Sequence, residues 1–371
     1  RNIELPYSKV NHLKVTTHQQ YAWEKFILSG DMGYQNNHRE EWSAFHTHYG
    51  SQPLPETNPD KELGFNLNTF SFSAKGRLIG SSSWEHRMGW DSQFQRNTIS
   101  GYSFLLPEYE RFTTGVSWLT TYRPHNVLAV SGGIRYDYGR MRVFAHDDPY
   151  LATYLQEQGY SDEQVESYRW NSRRVNRNFG DYSLSLGVVW TPSVRHQLKV
   201  NVGRSFRLSG ANELASNGVH HGTFRHEQGD ATLSSEQGWQ MDASYQLKYG
   251  RLSLYVSPFV NWFSNYIFLR PTGEWSVLPH TGQIYRYTQT EALFAGAEAG
   301  AEVRISSAFS YRISGEYVYT YNCDEHIPLS FSPPPVMRNT LTWQKNRYML
   351  YAEWQLSLIH ISEPTRHAQI S

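Results

Sequence analysis

The 371-residue chain has a single cysteine, Cys323, which leaves it without an intrachain disulfide and without a cysteine-based zinc site. It has no run of about 18 apolar residues, which excludes a transmembrane helix but not a transmembrane β-barrel. It carries no excess of one charge: Lys and Arg total 34, as do Asp and Glu, so no overall field recommends nucleic acid as a partner. No Gly-x-Ser-x-Gly motif or other nucleophile signature is present, which argues against an outer-membrane hydrolase. No internal repeat is found either, and a β-propeller would need one.

What the chain does have is aromatic side chains and alternation. Tyr numbers 26 and Trp 12, and aromatics make up 15% of the chain, although its mean hydropathy is a polar −0.62. Tyr and Trp favour membrane–water interfaces, where the ring is buried and the polar tip stays wet. Leu128, Val130, Ile134, Tyr136 and Tyr138 share one parity, while Ser131, Arg135 and Asp137 take the other. Successive strand side chains point to opposite faces, so one face is apolar and the other polar. The same holds for Leu252, Leu254, Val256 and Val260 against Ser253, Ser257 and Asn261, and for Tyr311, Ile313, Tyr317 and Tyr319 against Arg312, Ser314, Glu316 and Thr320.

The pattern predicts strands near 9–22, 25–39, 64–77, 81–97, 111–123, 126–144, 177–191, 195–207, 236–249, 251–267, 283–304, 309–322, 333–345 and 347–357. Turn residues fill the short gaps, as in Arg123-Pro124-His125-Asn126, Tyr249-Gly250-Arg251 and Lys345-Asn346-Arg347. Long gaps near 40–63, 98–110, 144–176, 208–235, 268–282 and 323–332 alternate strictly with them. In an outer-membrane barrel the short turns collect on the periplasmic rim and the long loops on the extracellular rim. The expected class is therefore all-β: a transmembrane, antiparallel, up-and-down β-barrel fragment of about 14 strands. Trp190, Trp239, Trp262, Tyr317 and Tyr319 are assigned to the membrane girdle, and Arg135, Arg312, Asp137, Asp242 and Glu316 to a polar inner wall. Within the 144–176 loop, Pro149 to Gly159 reads as a helix, and Ser161 with Gln164 as a capping box before Val165 and Tyr168.

One segment carries a family resemblance. Ser205-Phe206-Arg207, Asn212-Glu213-Leu214, Gly218-Val219-His220-His221-Gly222 and Gly229-Asp230-Ala231-Thr232-Leu233-Ser234-Ser235-Glu236 resemble the TonB-dependent receptors. There a strand ends in a Phe-Arg-Ala-Pro box, and a Gly-Asn-Pro-x-Leu-x-Pro-Glu box opens the next. Phe206, Arg207, Gly229, Leu233 and Glu236 are kept; Leu208, Ser209, Ala231 and Ser235 depart from the pattern.

The resemblance implies a barrel of about 22 strands around a plug domain, of which residues 1–355 would be the middle and later wall. It implies outer-membrane lipid and, through a missing N-terminal part, the TonB energy-coupling complex as partners. Its ligand would be a small-molecule metal chelate taken up as cargo, an iron chelate (siderophore) or haem, with no intrinsic cofactor and no enzyme activity. Zinc and cobalamin receptors of the same family are alternatives, and a passive porin is a further one, although no loop is conspicuously single-signed. Arg1 is expected to be an internal residue, since no signal peptide opens the chain. Residues 356–371, from Leu356-Ser357-Leu358-Ile359-His360-Ile361-Ser362 onward, read as sequencing-adaptor translation outside the native fold.

Eight histidines fall in the long connections: His46, His48, His146, His220, His221, His226, His280 and His326. Imidazole is the commonest metal ligand. His46 and His48 are two apart and would share a side of an extended segment. Asp147 and Asp148 accompany His146, and Asp324 and Glu325 accompany His326, so His46, His48, His146 and His326 form the candidate metal set. His220, His221 and His226 lie between the two boxes, where haem receptors of the resembled family carry a ligand histidine, and they are ligand-binding candidates on that ground. Arg207 is expected either to meet an anionic chelate or to pair with Glu236. Phe45, Tyr49 and Phe224 are candidates for ring contact with haem or a catecholate.

Overall fold

A computed structural model describes residues 4–47, 52–220, 223–279, 281–329 and 332–357. Six long strands come first: β1 (Tyr7–Ala22), β2 (Phe26–Trp42), β3 (Lys61–Ile79), β4 (Trp84–Ser100), β5 (Tyr109–His125) and β6 (Leu128–Val143). A folded loop follows, made of β7 (His146–Asp147), α1 (Pro149–Glu157), α2 (Asp162–Tyr168) and β8 (Trp170–Ser172). The wall resumes with β9 (Val175–Ser193) and β10 (His196–Arg207), then carries a second decorated loop of α3 (Ala211–Ala215), β11 (Asn217–His220) and β12 (Arg225–Gln228). The rest is β13 (Glu236–Tyr249), β14 (Leu252–Trp275), β15 (Gln283–Arg304), β16 (Phe309–Asn322), the short β17 (Ile327–Pro328), β18 (Val336–Lys345) and β19 (Tyr348–Ser357).

The fourteen long strands pair antiparallel, each with the next, from β1–β2 to β18–β19. Across the wall Trp90 faces Val116, Val116 faces Tyr136 and Tyr136 faces Tyr182, an entirely apolar or aromatic row. One residue along, Asp91, Gly115, Asp137 and Asp181 form the corresponding row on the other face. Trp84, Val116, Ile134 and Leu186 are 43%, 58%, 52% and 56% exposed. A surface of such residues around the whole wall far exceeds the few hundred Å² that a soluble monomer exposes, so this face meets lipid. Trp190, Trp239, Trp262, Tyr317 and Tyr319 are exposed on it as well. On the other face, Arg135 donates to Asp91 at 2.9 Å and to Asp137 at 2.6 Å, and Arg312 pairs with Glu302 at 2.5 Å. Guanidiniums and carboxylates arranged this way belong to a wet lumen.

The connections sort by length as the alternation requires. Residues 23–25, 80–83, 126–127, 194–195, 250–251, 305–308 and 346–347 close one rim. Gly250 and Asn346 supply the positive φ that these hairpins need, at 60° and 53°. The longer connections all leave from the other rim. There β14 and β15 run 24 and 22 residues, well beyond the 9–11 that cross a bilayer, so their outer ends stand clear of the membrane. β12 lies along that projecting part, parallel to β15 from His226 opposite Ile284 to Gln228 opposite Arg286.

Dry packing is confined to the long-loop end. Met141, Val143, Val175 and Phe179 from β6 and β9 enclose Ala211, Leu214 and Ala215 of α3 together with Leu233 and Ile267. A second cluster joins Leu151, Ala152, Leu155 and Val165 of the two helices to Leu278, with Val219 of β11 against it. The capping box forms: Gln164 N–H donates to Ser161 Oγ at 3.3 Å and Ser161 N–H to Gln164 Oε1 at 3.2 Å. α1 stops short of Gly159, which takes a φ of 81°.

The loop expected at 268–282 is shorter, because β14 continues to Trp275, and α3 was not foreseen. Leu356 and Ser357 close β19 by pairing with Met337 and Val336; residues 358–371, the bulk of the segment expected to be adaptor translation, lie outside the described residues. Among the described residues β1 pairs only with β2 and β19 only with β18.

Candidate ligand-binding site

The two boxes of the 205–236 segment prove to be framework. Arg207 Nη1 donates to both oxygens of Glu213 at 2.9 Å, and its Nε and Nη2 donate to Glu236 at 3.3 and 3.1 Å. Glu213 also accepts from Gly210 N–H at 2.6 Å, and Glu236 from Ile267 N–H at 2.8 Å. A guanidinium forked between two carboxylates has little left for an anionic cargo, so of the two expectations for Arg207 the pairing with Glu236 is the one formed. Leu233 is buried in the α3 cluster. Gly229 passes so close to α3 that a Cβ would lie 2.5 Å from Ala215 N and 2.8 Å from Asn212 O.

His226 is likewise structural. It is fully buried, with Nε2 2.8 Å from Asn217 Oδ1 and Nδ1 2.8 Å from Ser276 Oγ. Both ring nitrogens are engaged, so in this arrangement the imidazole has no lone pair to offer a ligand. Burial pushes its pKa down to about 4. His220 lies in β11 opposite Arg225, and its side chain is outside the described set; His48, Tyr49, His221 and His280 are outside the described residues altogether. Phe224 is 64% exposed in the turn before β12, with a φ of 53°.

The concave feature at this rim lies elsewhere. A cleft of about 510 Å³ opens between the 43–60, 101–108 and 144–174 loops, lined on one side by His46, Leu54 and Pro55 and on the other by His146, Tyr150 and Asn171. Tyr102 and Phe104 line its floor, and Val219 and Leu278 reach it from the helical side. Tyr102 and Phe104 follow Gly101, whose φ of 106° turns the chain there. His46 meets the Tyr102 ring edge-on at 5.8 Å, with Nδ1 3.3 Å from the hydroxyl. Tyr102 is fixed in turn by Ser43 Oγ at 2.9 Å and by the Phe45 ring at 5.0 Å. His146 stacks on Phe104 at 5.0 Å with its outer edge open to the cleft. The packing beneath lowers its pKa through desolvation, against the pull of Asp148, Asp147 and Glu108, which keeps the ring neutral near pH 7.

The expected metal set is not assembled. His46 and His146 share the cleft, but His326 sits in the turn between β16 and β17 and is not among the cleft's walls. The carboxylates expected to help have other tasks. Asp147 is held by Arg169 at 2.8 and 2.6 Å, and Asp148 caps α1 by accepting from Leu151 N–H at 3.0 Å. Asp324 accepts from Thr290 Oγ1 and Glu291 N–H, both at 2.8 Å, and Glu325 pairs with Arg270 at 2.6 Å. Among the described residues no three His, Cys, Asp or Glu side chains converge on one point. Tyr102 and Phe104 are among the cleft residues not singled out in the sequence; two aromatics in a glycine-led loop were the available signal.

Fold and rim together define an outer-membrane β-barrel with its ligand-facing end at the long loops. The family profile described as "TonB dependent receptor-like, beta-barrel" matches residues 6–363, and the chain belongs to that family of outer-membrane transporters. No curated relative matches it by sequence. Among solved structures it is similar to the copper transporter OprC (14% identity, TM-score 0.68, covering 94% of this chain and 53% of that one). It is also similar to the hemophore receptor HasR of Serratia marcescens, solved as a double mutant with its hemophore HasA and heme (17%, 0.66, 95% and 58%). A third is the ferric yersiniabactin uptake receptor FyuA of Yersinia pestis (11%, 0.60, 95% and 50%). The chain spans about half the length of these proteins.

Proposed function

We propose that this chain forms wall and outer mouth of a receptor that takes up a metal complex, an iron chelate or haem, in preference to a bare ion. The observation that carries this reading is the cleft between His46 and His146. Its volume suits an organic chelate, and its floor of two aromatic rings flanked by two histidines suits a flat, unsaturated one. A bare zinc ion would want three or four converging donors, and the described residues offer no such group. The similar structures are named for copper, heme and ferric yersiniabactin, and a shared fold does not choose among such cargoes. Zinc and cobalamin receptors are the alternatives within the same family.

Entry through the mouth would be driven by the TonB complex, acting on a part of the receptor beyond this chain. The test is uptake of radiolabelled iron, as haem and as ferric chelates, by cells carrying the intact receptor. Accumulation that saturates and stops when a protonophore collapses the inner-membrane gradient is expected. Uptake that is unsaturable and indifferent to the protonophore would leave a passive porin.

A further inference from the structure

One buried histidine ties together the three loops that make the helical side of the cleft. Asn217 Nδ2 donates to Ser167 O and to Trp170 O, both at 2.9 Å, which turns its Oδ1 toward His226. Nε2 of His226 must therefore carry the hydrogen. On the other side of the ring, Ser276 Oγ accepts from Leu278 N–H at 3.1 Å, so its own hydrogen goes to His226 Nδ1 at 2.8 Å. The network as it stands is complete for the neutral Nε2–H imidazole. A second ring proton would force the Ser276 hydroxyl to turn its own hydrogen away, and burial disfavours the resulting cation.

Among the described residues no carboxylate is paired with the ring. Tyr168 of α2 packs its ring at 5.4 Å. On β12, Arg225 and Glu227 point to the opposite side by strand alternation; Arg225 lies over Tyr285 at 4.9 Å and Glu227 is 3.4 Å from the Tyr287 hydroxyl. Glu166 is taken by Trp170 Nε1 at 2.8 Å, Arg286 by Gln228 at 3.1 Å, and Glu274 acts on Tyr168 and not on His226.

We propose that His226 is a proton-operated latch: neutral, it locks the 144–174, 208–235 and 276–282 loops into one body, and protonated, it releases them. The consequence reaches the cleft because Asn171, Val219 and Leu278, one from each loop, line it. A cargo is held at neutral pH and loosened at acid pH. The functional consequence rests on the cleft reading given above; the latch itself does not.

The sign follows from the burial that lowers the folded pKa. Between the folded value of about 4 and the ordinary 6.5, the open state binds the proton and the closed state does not. The tie is therefore at full strength above the ordinary histidine range and weakens as pH falls through that window. If the released ring titrates normally, opening rises about 30-fold from pH 8 to pH 5.

The experiment is hydrogen–deuterium exchange on the intact receptor in lipid nanodiscs without cargo, corrected for intrinsic rates, following residues 217–220, 225–229 and 276–279. Wild type is expected to show the 30-fold rise there and none in β5, and His226→Gln none in either. Equal opening of wild type at both pH values overturns the latch, as does an undiminished rise in His226→Gln. Should His226→Gln be open throughout, Ser276→Ala decides: losing the donor to Nδ1 is expected to move the acid midpoint upward, and an unmoved midpoint overturns the proposal. No cargo is present, so failure of the cleft to bind a chelate would leave this result standing.

Discussion

The Arg204 guanidinium crosses a split in the wall to reach Asp181 at 2.7 Å, with both side chains more than nine-tenths buried. Pairing between β9 and β10 ends at Arg204 opposite Leu184, although β9 runs on to Val175 beside β6, and β10 runs on to Arg207 beside β13. Arg204 fills the fork: it also donates to the carbonyl of Tyr182, a residue paired with Tyr136 on β6 but with nothing on β10, and lies 4.0 Å above the Tyr182 ring. Gln237 completes the site by donating to Asp181 Oδ2 at 2.6 Å. The opening lets α3 and its apolar cluster wedge into the rim.

Removing one partner of a buried ion pair costs about 3–5 kcal/mol, chiefly because the other charge is left behind. Arg204→Ala is accordingly expected to lower unfolding stability by that order, and the Arg204→Ala/Asp181→Ala double variant to recover part of the loss. Urea unfolding in lipid vesicles, followed by tryptophan fluorescence, reads both. A single-variant loss below about 1 kcal/mol would place the pair with ordinary surface ion pairs.

Gly229 makes a second, independent test of the rim. An added methyl meets the backbone of Asn212, Leu214 and Ala215, which cannot step aside as a flexible side chain would. Gly229→Ala is expected to cost about 1–3 kcal/mol and to expose the α3 segment to proteolysis, while strands β1 to β5 keep their protection. Normal resistance of residues 208–235 to protease would show that the contact yields cheaply.

The mouth should also be indifferent to free divalent metal. No metal-binding group of three donors exists among the described residues. Neither EDTA nor micromolar zinc is expected to shift the unfolding transition by more than about a degree, since a ligand below its Kd contributes almost nothing. A rise of several degrees with zinc would restore the free-ion reading.

The wall was legible because lipid outside and water inside impose the same two-residue period on every strand, as in Leu128 to Tyr138. The capping box at Ser161 and Gln164 was legible because it is local. The outer reach of β14 was not: Arg270-Pro271-Thr272-Gly273 falls in the long connection expected at 268–282, yet Pro271 still pairs with Tyr285, and the irregularity is absorbed by a bulge before Trp275, with Gly273 at a φ of 83°. The role of His226 depends on Ser276, 50 residues away, and on Asn217, which no spacing rule connects. Arg207 looked available for cargo only because the second carboxylate, Glu213, belongs to a helix that the sequence did not announce. His46 and His146 stand out in the sequence as loop histidines, but their shared cleft exists through Tyr102 and Phe104, and that approach is tertiary.

The most direct test of the central claim is titration of the intact receptor with haem and with ferric chelates, comparing wild type with Tyr102→Ala/Phe104→Ala and with His46→Ala/His146→Ala. For whichever complex the wild type binds, losing the two rings removes both stacking surfaces, and affinity is expected to fall at least about tenfold, or 1.4 kcal/mol. The histidine pair is expected to weaken the same complex. Unchanged affinity in both variants would contradict the assignment of this cleft as the place where cargo is held.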